Sequence, residues 1–441
     1  MAVWDGARWQ DLLDLLCRKY SVPGASLAVL VDGDVHAVAS GVVNVDTGVG
    51  TTTDSVFQLG SISKPYTATV LARLVQDGRL SMETRVREVL PEFRLATPGA
   101  ADPITIGHLL SHTSGMDGDF YRDTGRGDDC LARYVTECAE LDLVHPVGAS
   151  MSYSNAGYVV AGRVIERITG TTWDAALRTW VLDPIGATRT GSLPEGMLRF
   201  RSAVGHNGDP MAPAEQLVLP RSVGPAGGVW ASAGDVLEFV RMHLTDPTLA
   251  GLREPRAAVP DEARPIHRTT GWIQYGWDGR EVFGHDGETI GQYAFLRVVP
   301  DRQVAVALLT NAYSEPLSLE LFTALLAELA DLAVPRFTVP ARPPVVDITP
   351  WLGTYRNKTR QATVESRDGE PWVSMRFANE LIDTILRQQI RLTPVSDTLF
   401  VDRTDWYPRS WTFGRLPNGA PYLHLGGRLL KHCGDTDSTA V

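Results

Sequence analysis

The chain has 441 residues, of which 44% are hydrophobic, so it can bury a substantial core and is not a disordered protein. Its length favours two domains. The formal net charge of −11 opposes nucleic acid as a partner, because duplex binding needs clustered positive charge. Only four of the 41 basic residues are lysines, namely Lys19, Lys64, Lys358 and Lys431.

The N-terminal segment has the pattern of an amphipathic surface helix. Its apolar residues recur at helical spacing, as in Trp9, Leu13 and Leu16, while Asp5 and Asp11 interrupt any apolar run. A secretory signal and a membrane span are therefore not expected, and the sequence predicts a cytoplasmic protein. The four cysteines show no metal-type spacing, which predicts buried free thiols and no metal or other cofactor.

Strand patterns at both ends of the first 334 residues enclose a helical middle. Such an order predicts an α+β domain whose antiparallel sheet is assembled from distant segments. The predicted elements are strands 25–31 and 34–40 joined by Asp32-Gly33, a helix after Ser61, a helix over 154–168, strands 293–299 and 303–310, and a helix over 315–333.

A proline-rich stretch over 335–350 predicts a semi-rigid linker after the domain of residues 1–334. The pattern then changes to short strands with turn signals between them, which predicts a small antiparallel barrel over 351–432. Residues 433–441 are expected to form a flexible tail. The predicted barrel strands are 351–355, 362–366, 372–377, 390–395, 399–402, 410–413 and 422–425.

Ser61 and Lys64 form an S-x-x-K pair at the start of a predicted helix. Three residues make about one helical turn, so the two side chains face the same way. A serine hydroxyl becomes a good nucleophile when a nearby base takes its proton, and a desolvated lysine amine can be that base. The alternative is a helix cap followed by a surface lysine.

Tyr153 and Asn155 form a second candidate pair, because a phenol can relay a proton and an amide can hold both a carbonyl and an ammonium. The same Y-x-N spacing occurs at Tyr355 and Asn357, in the strand-rich module. The position of Tyr153 before a helix of the large domain favours the first pair. A simple turn or cap at Asn155 is the alternative.

His285 and Gly287 form a third candidate, H-x-G, just before the predicted 293–310 hairpin. The pattern recurs at His206 and His424 and has little weight alone. Its position favours His285, since an edge strand there could line a cleft.

Together the three motifs resemble those of the penicillin-binding protein and serine β-lactamase superfamily, in its class C-like branch. The order and spacing match, and so do the flanking segments 109–115, 224–235 and 284–300. The resemblance covers about residues 10–332 and implies the α+β transpeptidase-like fold. The module behind it is similar to the lipocalin-like barrel of some cytoplasmic relatives.

The resemblance implies a role for each motif residue. Ser61 would be the acylated nucleophile, Lys64 its base, and Tyr153 the group that passes a proton to the leaving group. Asn155 would orient Lys64 and the substrate amide. The oxyanion hole and substrate-binding edge would use Gly287 and the backbone N–H groups of Ser61 and Glu288.

His285 departs from relatives in which a lysine holds a substrate carboxylate, so carboxylate recognition is expected to be weak. The resemblance implies an ester, thioester or amide of a small peptide-like molecule as acyl donor, with water or an amine as acceptor. A transacylase or peptide cyclase of secondary metabolism, a β-lactamase and a non-catalytic ligand sensor are the alternatives. The oligomeric state stays open.

Two further segments have alternative interpretations. The polar loop 119–129 either borders the cleft or is a solvated loop. A group of aromatic residues could line an acyl pocket or pack in the core. These aromatic residues are Trp230, Trp272, Tyr275 and Trp277.

Overall fold

The fold comes from a computed structural model, which describes residues 4–261, 263–264, 266–378, 389–402 and 408–433. Among these residues the α-helices are Gly6–Lys19 (α1), Ser63–Gln76 (α2), Val86–Val89 (α3), Ile106–Leu110 (α4), Cys130–Glu137 (α5), Asn155–Thr169 (α6), Trp173–Leu177 (α7), Pro194–Met197 (α8), Gly224–Gly227 (α9), Ala233–Thr245 (α10) and Glu315–Ala330 (α11).

The strands of the first 334 residues are Gly24–Val31 (β1), Asp34–Asn44 (β2), Val49–Gly50 (β3), Phe57–Gln58 (β4), Thr190–Gly191 (β5), His206–Asn207 (β6), Ala212–Pro213 (β7), Trp230–Ala231 (β8), Ala257–Ala258 (β9), Ile266–Arg268 (β10), Ile273–Trp277 (β11), Arg280–Glu288 (β12), Tyr293–Val299 (β13) and Val304–Thr310 (β14). The later strands are Gly353–Arg356 (β15), Arg360–Arg367 (β16), Glu370–Phe377 (β17), Gln389–Arg391 (β18), Thr393–Pro394 (β19), Leu399–Val401 (β20), Ser410–Arg415 (β21), Pro421–Leu425 (β22) and Arg428–Cys433 (β23).

The large domain is built on a nine-stranded sheet in the order β3-β2-β1-β14-β13-β12-β11-β10-β9, with its named pairs antiparallel. The strands at the two ends of the domain meet at the β1–β14 pair, as the sequence predicts. Asp32 and Gly33 both have positive φ and form the predicted tight turn between β1 and β2. The predicted α+β class is confirmed.

Both faces of this sheet are buried, because helices cover each of them. Alternate residues of β1 point to opposite sides: Leu27 packs with α1 and α11, and Ala28 packs with α2, α6 and α10. Helix α11 ends at Ala330, three residues before the predicted end, where Asp331 adopts a left-handed conformation. The first two candidate motifs lie at the starts of α2 and α6, and the third lies on strand β12.

The C-terminal module is a second nine-stranded antiparallel sheet that curls into a nearly closed barrel. Its edge strands β18 and β19 are neighbours in the chain, separated by Leu392 alone, so the predicted strand 390–395 is in fact two. The last strand, β23, is absent from the sequence prediction. It includes Cys433, whereas residues 434–441 of the predicted tail lie outside the described residues.

The barrel is held against the large domain by polar contacts. The Lys358 backbone N–H donates to the Asp117 carboxylate at 2.6 Å, and the Ser410 hydroxyl donates to Asp261 at the same distance. The domain limits at 334 and 350 remain predictions. In the described part of the chain, no helix has the length and apolar composition needed to cross a bilayer.

Candidate active site

Ser61 lies in a single 3-10 turn, Gly60–Ile62, that leads directly into α2. Two glycines let this turn touch the end of β12. A Cβ at Gly60, where φ is +51°, would lie 2.6 Å from the Glu288 backbone nitrogen, and one at Gly287 would lie 1.9 Å from the Leu59 carbonyl oxygen. The turn that holds Ser61 therefore lies directly against the end of β12 at Gly287 and Glu288, the residues predicted to form the oxyanion hole with it.

Lys64 is fully buried one turn after Ser61. Its Nζ lies 3.0 Å from Ser61 Oγ, 2.7 Å from Asn155 Oδ1 and 2.8 Å from the Ala226 carbonyl oxygen. A neutral amine has two N–H groups and one lone pair. The amide and carbonyl oxygens accept the two hydrogens, so the lone pair faces the Ser61 hydroxyl.

The surroundings favour this neutral amine. Burial, together with the charges of Arg428 and Arg268, holds the pKa of Lys64 well below its ordinary value. Lys64 forms no ion pair with a carboxylate of the described residues. The motif therefore places a desolvated amine beside the serine hydroxyl, and the alternative of a surface lysine does not fit its burial.

Tyr153 and Asn155 flank Ser154, which caps α6 by accepting the Gly157 N–H at 3.0 Å. The Tyr153 ring stacks on His112 with centroids 4.2 Å apart. Two guanidinium groups and the Lys64 amine lie around the same ring: Arg268 Cζ is 4.9 Å from its centroid, Arg428 Cζ is 4.8 Å away and Lys64 Nζ is 4.7 Å away.

The balance of these effects keeps Tyr153 protonated. Burial raises the pKa of Tyr153 and outweighs the opposing effects of Arg268 and of the hydrogen bond with Ser61. The side chain therefore lies beside the serine as a neutral phenol, which can donate a proton to a departing group.

Asn155 connects the lysine to a charged pair. Its Nδ2 donates to Asp119 Oδ1 at 3.1 Å and to the Tyr121 hydroxyl at 2.8 Å. Both amide hydrogens already have protein acceptors, so the predicted contact with a substrate amide requires displacement of Tyr121.

Arg428 from the first position of β23 completes this wall. Its Nε and Nη2 donate to the two oxygens of Asp119 at 2.9 and 3.0 Å, and its Nη1 donates to the Gly426 carbonyl. The neighbouring Gly427 carbonyl accepts the Tyr153 backbone N–H at 2.8 Å. The barrel thus forms one wall of the site.

His285 is buried and uncharged. Its Nδ1 lies 2.6 Å from the Asp286 carbonyl oxygen, which can only accept, so Nδ1 has the hydrogen and Nε2 is left with a lone pair. Arg268 Nη1 lies 3.4 Å from that Nε2. Burial, followed by the charge of Arg268, lowers the pKa of His285 well below its ordinary value.

The sequence analysis did not select Arg268, Asp119 or Arg428. The start of the 119–129 loop does border the site, through Asp119 and Tyr121, as one of its two interpretations expects. A signal for Arg428 was present, because Gly426-Gly427 between apolar runs is a hairpin pattern that predicts β23. No sequence pattern distinguishes Arg268 from the other arginines of the chain, which has 37 in total.

The other candidates pack as structural residues. Trp272 stacks on Phe239 and meets Phe283 edge-on, and Trp230 packs in a separate apolar cluster. Tyr275 and Trp277 contact one another and the Arg297 guanidinium. Of the repeated motifs, Tyr355 and His424 lie on strands β15 and β22 of the barrel, Asn357 follows β15, and His206 lies on the short strand β6.

Comparison with known proteins identifies the family of the chain. The β-lactamase family model matches residues 8–330, about three quarters of the chain. The chain belongs to the β-lactamase family. Penicillin-binding protein 4 of Amycolatopsis lactamdurans, a similar family member, is 45% identical over 375 residues, which are 80% of this chain and 98% of that protein.

Two further comparisons concern proteins with more specific names. Esterase EstB of Burkholderia gladioli is 30% identical over 301 residues, covering 58% of this chain and 76% of that esterase. The crystal structure of SurE with D-Leu has a TM-score of 0.78 and 28% identity, and the match covers 97% of this chain and 100% of SurE. The likeness to SurE therefore includes the barrel as well as the β-lactamase-like domain.

Proposed function

We propose that the protein is a serine hydrolase or acyltransferase that cleaves an ester, thioester or amide of a small peptide-like molecule through an acyl-Ser61 intermediate. The observation that carries this proposal is the position of Lys64 Nζ, which is fully buried and lies 3.0 Å from Ser61 Oγ. An uncharged amine at hydrogen-bond distance is a competent general base for a serine nucleophile.

In the first step Ser61 Oγ attacks the substrate carbonyl while Lys64 Nζ takes the hydroxyl proton. The N–H groups of Ser61 and Glu288 donate to the oxyanion that forms. Tyr153 gives its proton to the leaving group as the carbon–heteroatom bond breaks, and Lys64 returns a proton to the phenol. An acceptor then attacks the acyl-enzyme by the reverse sequence and releases Ser61.

We take water as the general acceptor, and esters of D-amino acids as the first substrates to try. The similarity to an esterase supports ester cleavage, and the similarity to a structure containing D-Leu supports a D-configured group at the site. Four buried free thiols suit a reducing compartment, so we place the activity in the cytoplasm.

Amide formation, as in a transacylase or peptide cyclase, is the second candidate. The barrel wall formed by Gly427 and Arg428 covers the Tyr153 side of the cleft, where an acceptor must approach. A wall of this kind limits the access of water and favours a bound amine.

The test offers a panel of D- and L-aminoacyl esters and thioesters, with and without amines, and follows products and intact protein by mass spectrometry. We expect a covalent adduct on Ser61 and acid product. Ser61→Ala should lose the adduct and at least about 10⁴-fold of the turnover. Ser26→Ala is the matched control, because Ser26 is a buried serine of β1 whose hydroxyl has no hydrogen-bond partner among the described residues.

The alternatives give distinct results. An adduct that survives in Ser61→Ala overturns the nucleophile. Amide product that outruns acid product establishes the transacylase. Faster opening of a chromogenic cephalosporin than of any ester indicates a β-lactamase, and a permanent adduct without turnover indicates a ligand sensor.

A further inference from the structure

His112 follows α4 and is buried against Tyr153. It is 2% exposed, and its backbone has a φ of +61°, in the left-handed region that residues other than glycine seldom adopt. A conformation of this kind persists where the surrounding contacts determine it, and such positions cluster at functional sites. Three contacts of His112 lead to Tyr153 or to its two neighbours in the chain.

The first two contacts are hydrogen bonds to the backbone on either side of Tyr153. The Ser152 N–H donates to the His112 carbonyl oxygen at 3.0 Å, and the Ser154 N–H donates to His112 Nδ1 at 3.0 Å. The third contact is the ring stack, with centroids 4.2 Å apart and 27° between the ring planes. Only two torsion angles join a phenol ring to its backbone. One residue therefore fixes both the backbone and the ring plane that direct the Tyr153 hydroxyl.

The same hydrogen bonds determine the charge of His112. A backbone N–H can only donate, so Nδ1 has a lone pair and the ring hydrogen is on Nε2. Burial, followed by the charge of Arg268, lowers the pKa of His112 well below its ordinary value. An imidazolium beside Tyr153 would favour the phenolate, which cannot donate a proton. The neutral ring instead leaves the phenol protonated.

We infer that His112 is a positioning residue for Tyr153, which holds the phenol in the direction needed to protonate the leaving group. This role rests on the proposed function. Other residue types meet only part of the requirement. Asparagine tolerates a left-handed backbone and has an oxygen acceptor at the same number of bonds from the backbone, but it has no aromatic face. Phenylalanine has the face but no acceptor, and histidine combines all three properties.

The test compares a para-nitrophenyl ester and an ethyl ester with the same N-acetyl-D-alanyl group, by the rate at which each acylates Ser61. Quenched-flow mass spectrometry of the intact protein measures this rate. Nitrophenolate leaves as a stable anion, whereas ethoxide must receive a proton as the bond breaks. Tyr153→Phe sets the scale, since it should slow acylation by the ethyl ester about 100-fold more than acylation by the aryl ester.

His112→Gly removes the ring and the acceptor, and glycine adopts a φ of +61° without strain. We expect acylation by the ethyl ester to fall about tenfold or more, and acylation by the aryl ester to stay within about threefold of the wild-type rate. His112→Asn restores the acceptor and should recover part of the loss. In a Tyr153→Phe background the glycine change should add little to the difference between the esters, because it acts through the missing hydroxyl.

His108→Asn is the matched control. His108 lies on α4, four residues before His112, and its Nδ1 accepts the Thr105 N–H at the start of that helix. The change disturbs the same segment of the chain and should leave the ratio of the two acylation rates as in the wild-type protein.

The results separate this role from the proposed function. Equal losses with both esters in His112→Gly make His112 a structural residue and overturn the role, and so do unchanged rates. His112→Asn decides by the same criterion if the glycine variant does not fold. If Tyr153→Phe slows both esters equally or not at all, the positioning role fails while acylation of Ser61 stands. If neither ester acylates the wild-type protein while its thermal melting curve is normal, the proposed function fails and the role fails with it.

Discussion

The two walls of the cleft solve the problem of buried charge in opposite ways. On the wall from the large domain, Lys64 and Arg268 have uncharged neighbours, namely a serine, an amide, a carbonyl and a neutral histidine. On the barrel wall, Arg428 and Arg360 both contact the Asp119 carboxylate. The first wall has excess positive charge and the second is nearly balanced.

Because of this difference, we expect the domain wall to provide the reacting groups and the barrel wall to hold them in position. An uncompensated environment lowers the affinity of Lys64 for protons. The compensated pair of Asp119 and Arg428 has little affinity for further ligands. It fixes the position of the Asn155 amide and, through that amide, the position of Lys64. Substitutions on the two walls should therefore differ in kind as well as in size.

The largest effect is expected from Lys64→Met, which removes the base from the domain wall and keeps an apolar side chain of similar length. Acylation of Ser61 should fall by about 10³-fold or more, because the hydroxyl loses its proton acceptor. Stopped-flow measurement of adduct formation checks the rate. Thermal stability should be retained, since a methionine is not penalised by the burial that acts on a charged lysine.

Lys19→Met is the matched control for this experiment, because Lys19 is an exposed lysine far from the cleft that pairs with Glu320. Acylation by Lys64→Met within tenfold of the wild-type rate would mean that another group activates Ser61. The domain wall would then not provide the base, and the distinction between the two walls would be wrong for Lys64.

An intermediate effect is expected on the barrel wall, from Asp119→Asn and Arg428→Gln. Each change should lower kcat by about 10- to 100-fold, because a loosened Asn155 no longer fixes Lys64, and a lost buried hydrogen bond is worth about 1–3 kcal/mol. The pair should be non-additive, so the double variant should lose much less than the product of the two single losses.

Strict additivity of these two changes would contradict the proposed coupling between barrel and lysine. Arg415→Gln is a suitable control, since Arg415 is an exposed arginine of the same barrel. An acid limb of kcat/KM that stays in place while kcat falls would show that Asp119 acts by placement rather than through charge.

The smallest effect is expected from Asp117→Asn, at the contact with the barrel turn. Burial, with a further contribution from Asp119, raises the pKa of Asp117 to about 6, although the Lys358 N–H opposes the shift. The folded state therefore holds this proton more tightly than the unfolded chain, and stability is lost as the pH rises from about 4 through 6.

The asparagine variant lacks this titration and still offers an oxygen to the Lys358 N–H. Its free energy of unfolding should exceed that of the wild-type protein by about 1–3 kcal/mol at pH 8, and by much less at pH 4. Denaturant titrations at the two pH values measure the difference, with activity unchanged at pH 7. An equal difference in unfolding free energy at pH 4 and pH 8 would mean that the titrating proton is not on Asp117.

The sequence was sufficient for the parts of the site that are local in the chain. Ser61 and Lys64 are one helical turn apart, and Tyr153 and Asn155 flank a helix cap, so short-range geometry already determines their directions. The strand alternation of residues 25–31 and 293–310 similarly predicted the centre of the sheet. Family resemblance then supplied the roles, which the motifs alone could not.

The rest of the site depends on long-range assembly. Asp119, Arg268 and Arg428 are separated by 149 to 309 positions, and their proximity follows from the order of the strands and the docking of the barrel. Neither the strand order nor the docking of the barrel can be predicted from the spacing of residues in the sequence. The missed strand β23 had a further consequence, because without it Arg428 falls in a loop and its alignment with Tyr153 cannot be foreseen.

The Gly427 carbonyl accepts the Tyr153 N–H. The site is therefore complete only after residue 427 has been synthesised. The ribosome makes the nucleophile, the base and the phenol long before it reaches residue 427, and N-terminal domains generally fold first. Until then the nascent large domain lacks one wall of its cleft, and Asp119 lacks its two arginine partners. We expect activity only after the β22–β23 hairpin has left the exit tunnel. Ser61 then reacts only when the barrel wall of the cleft is in place.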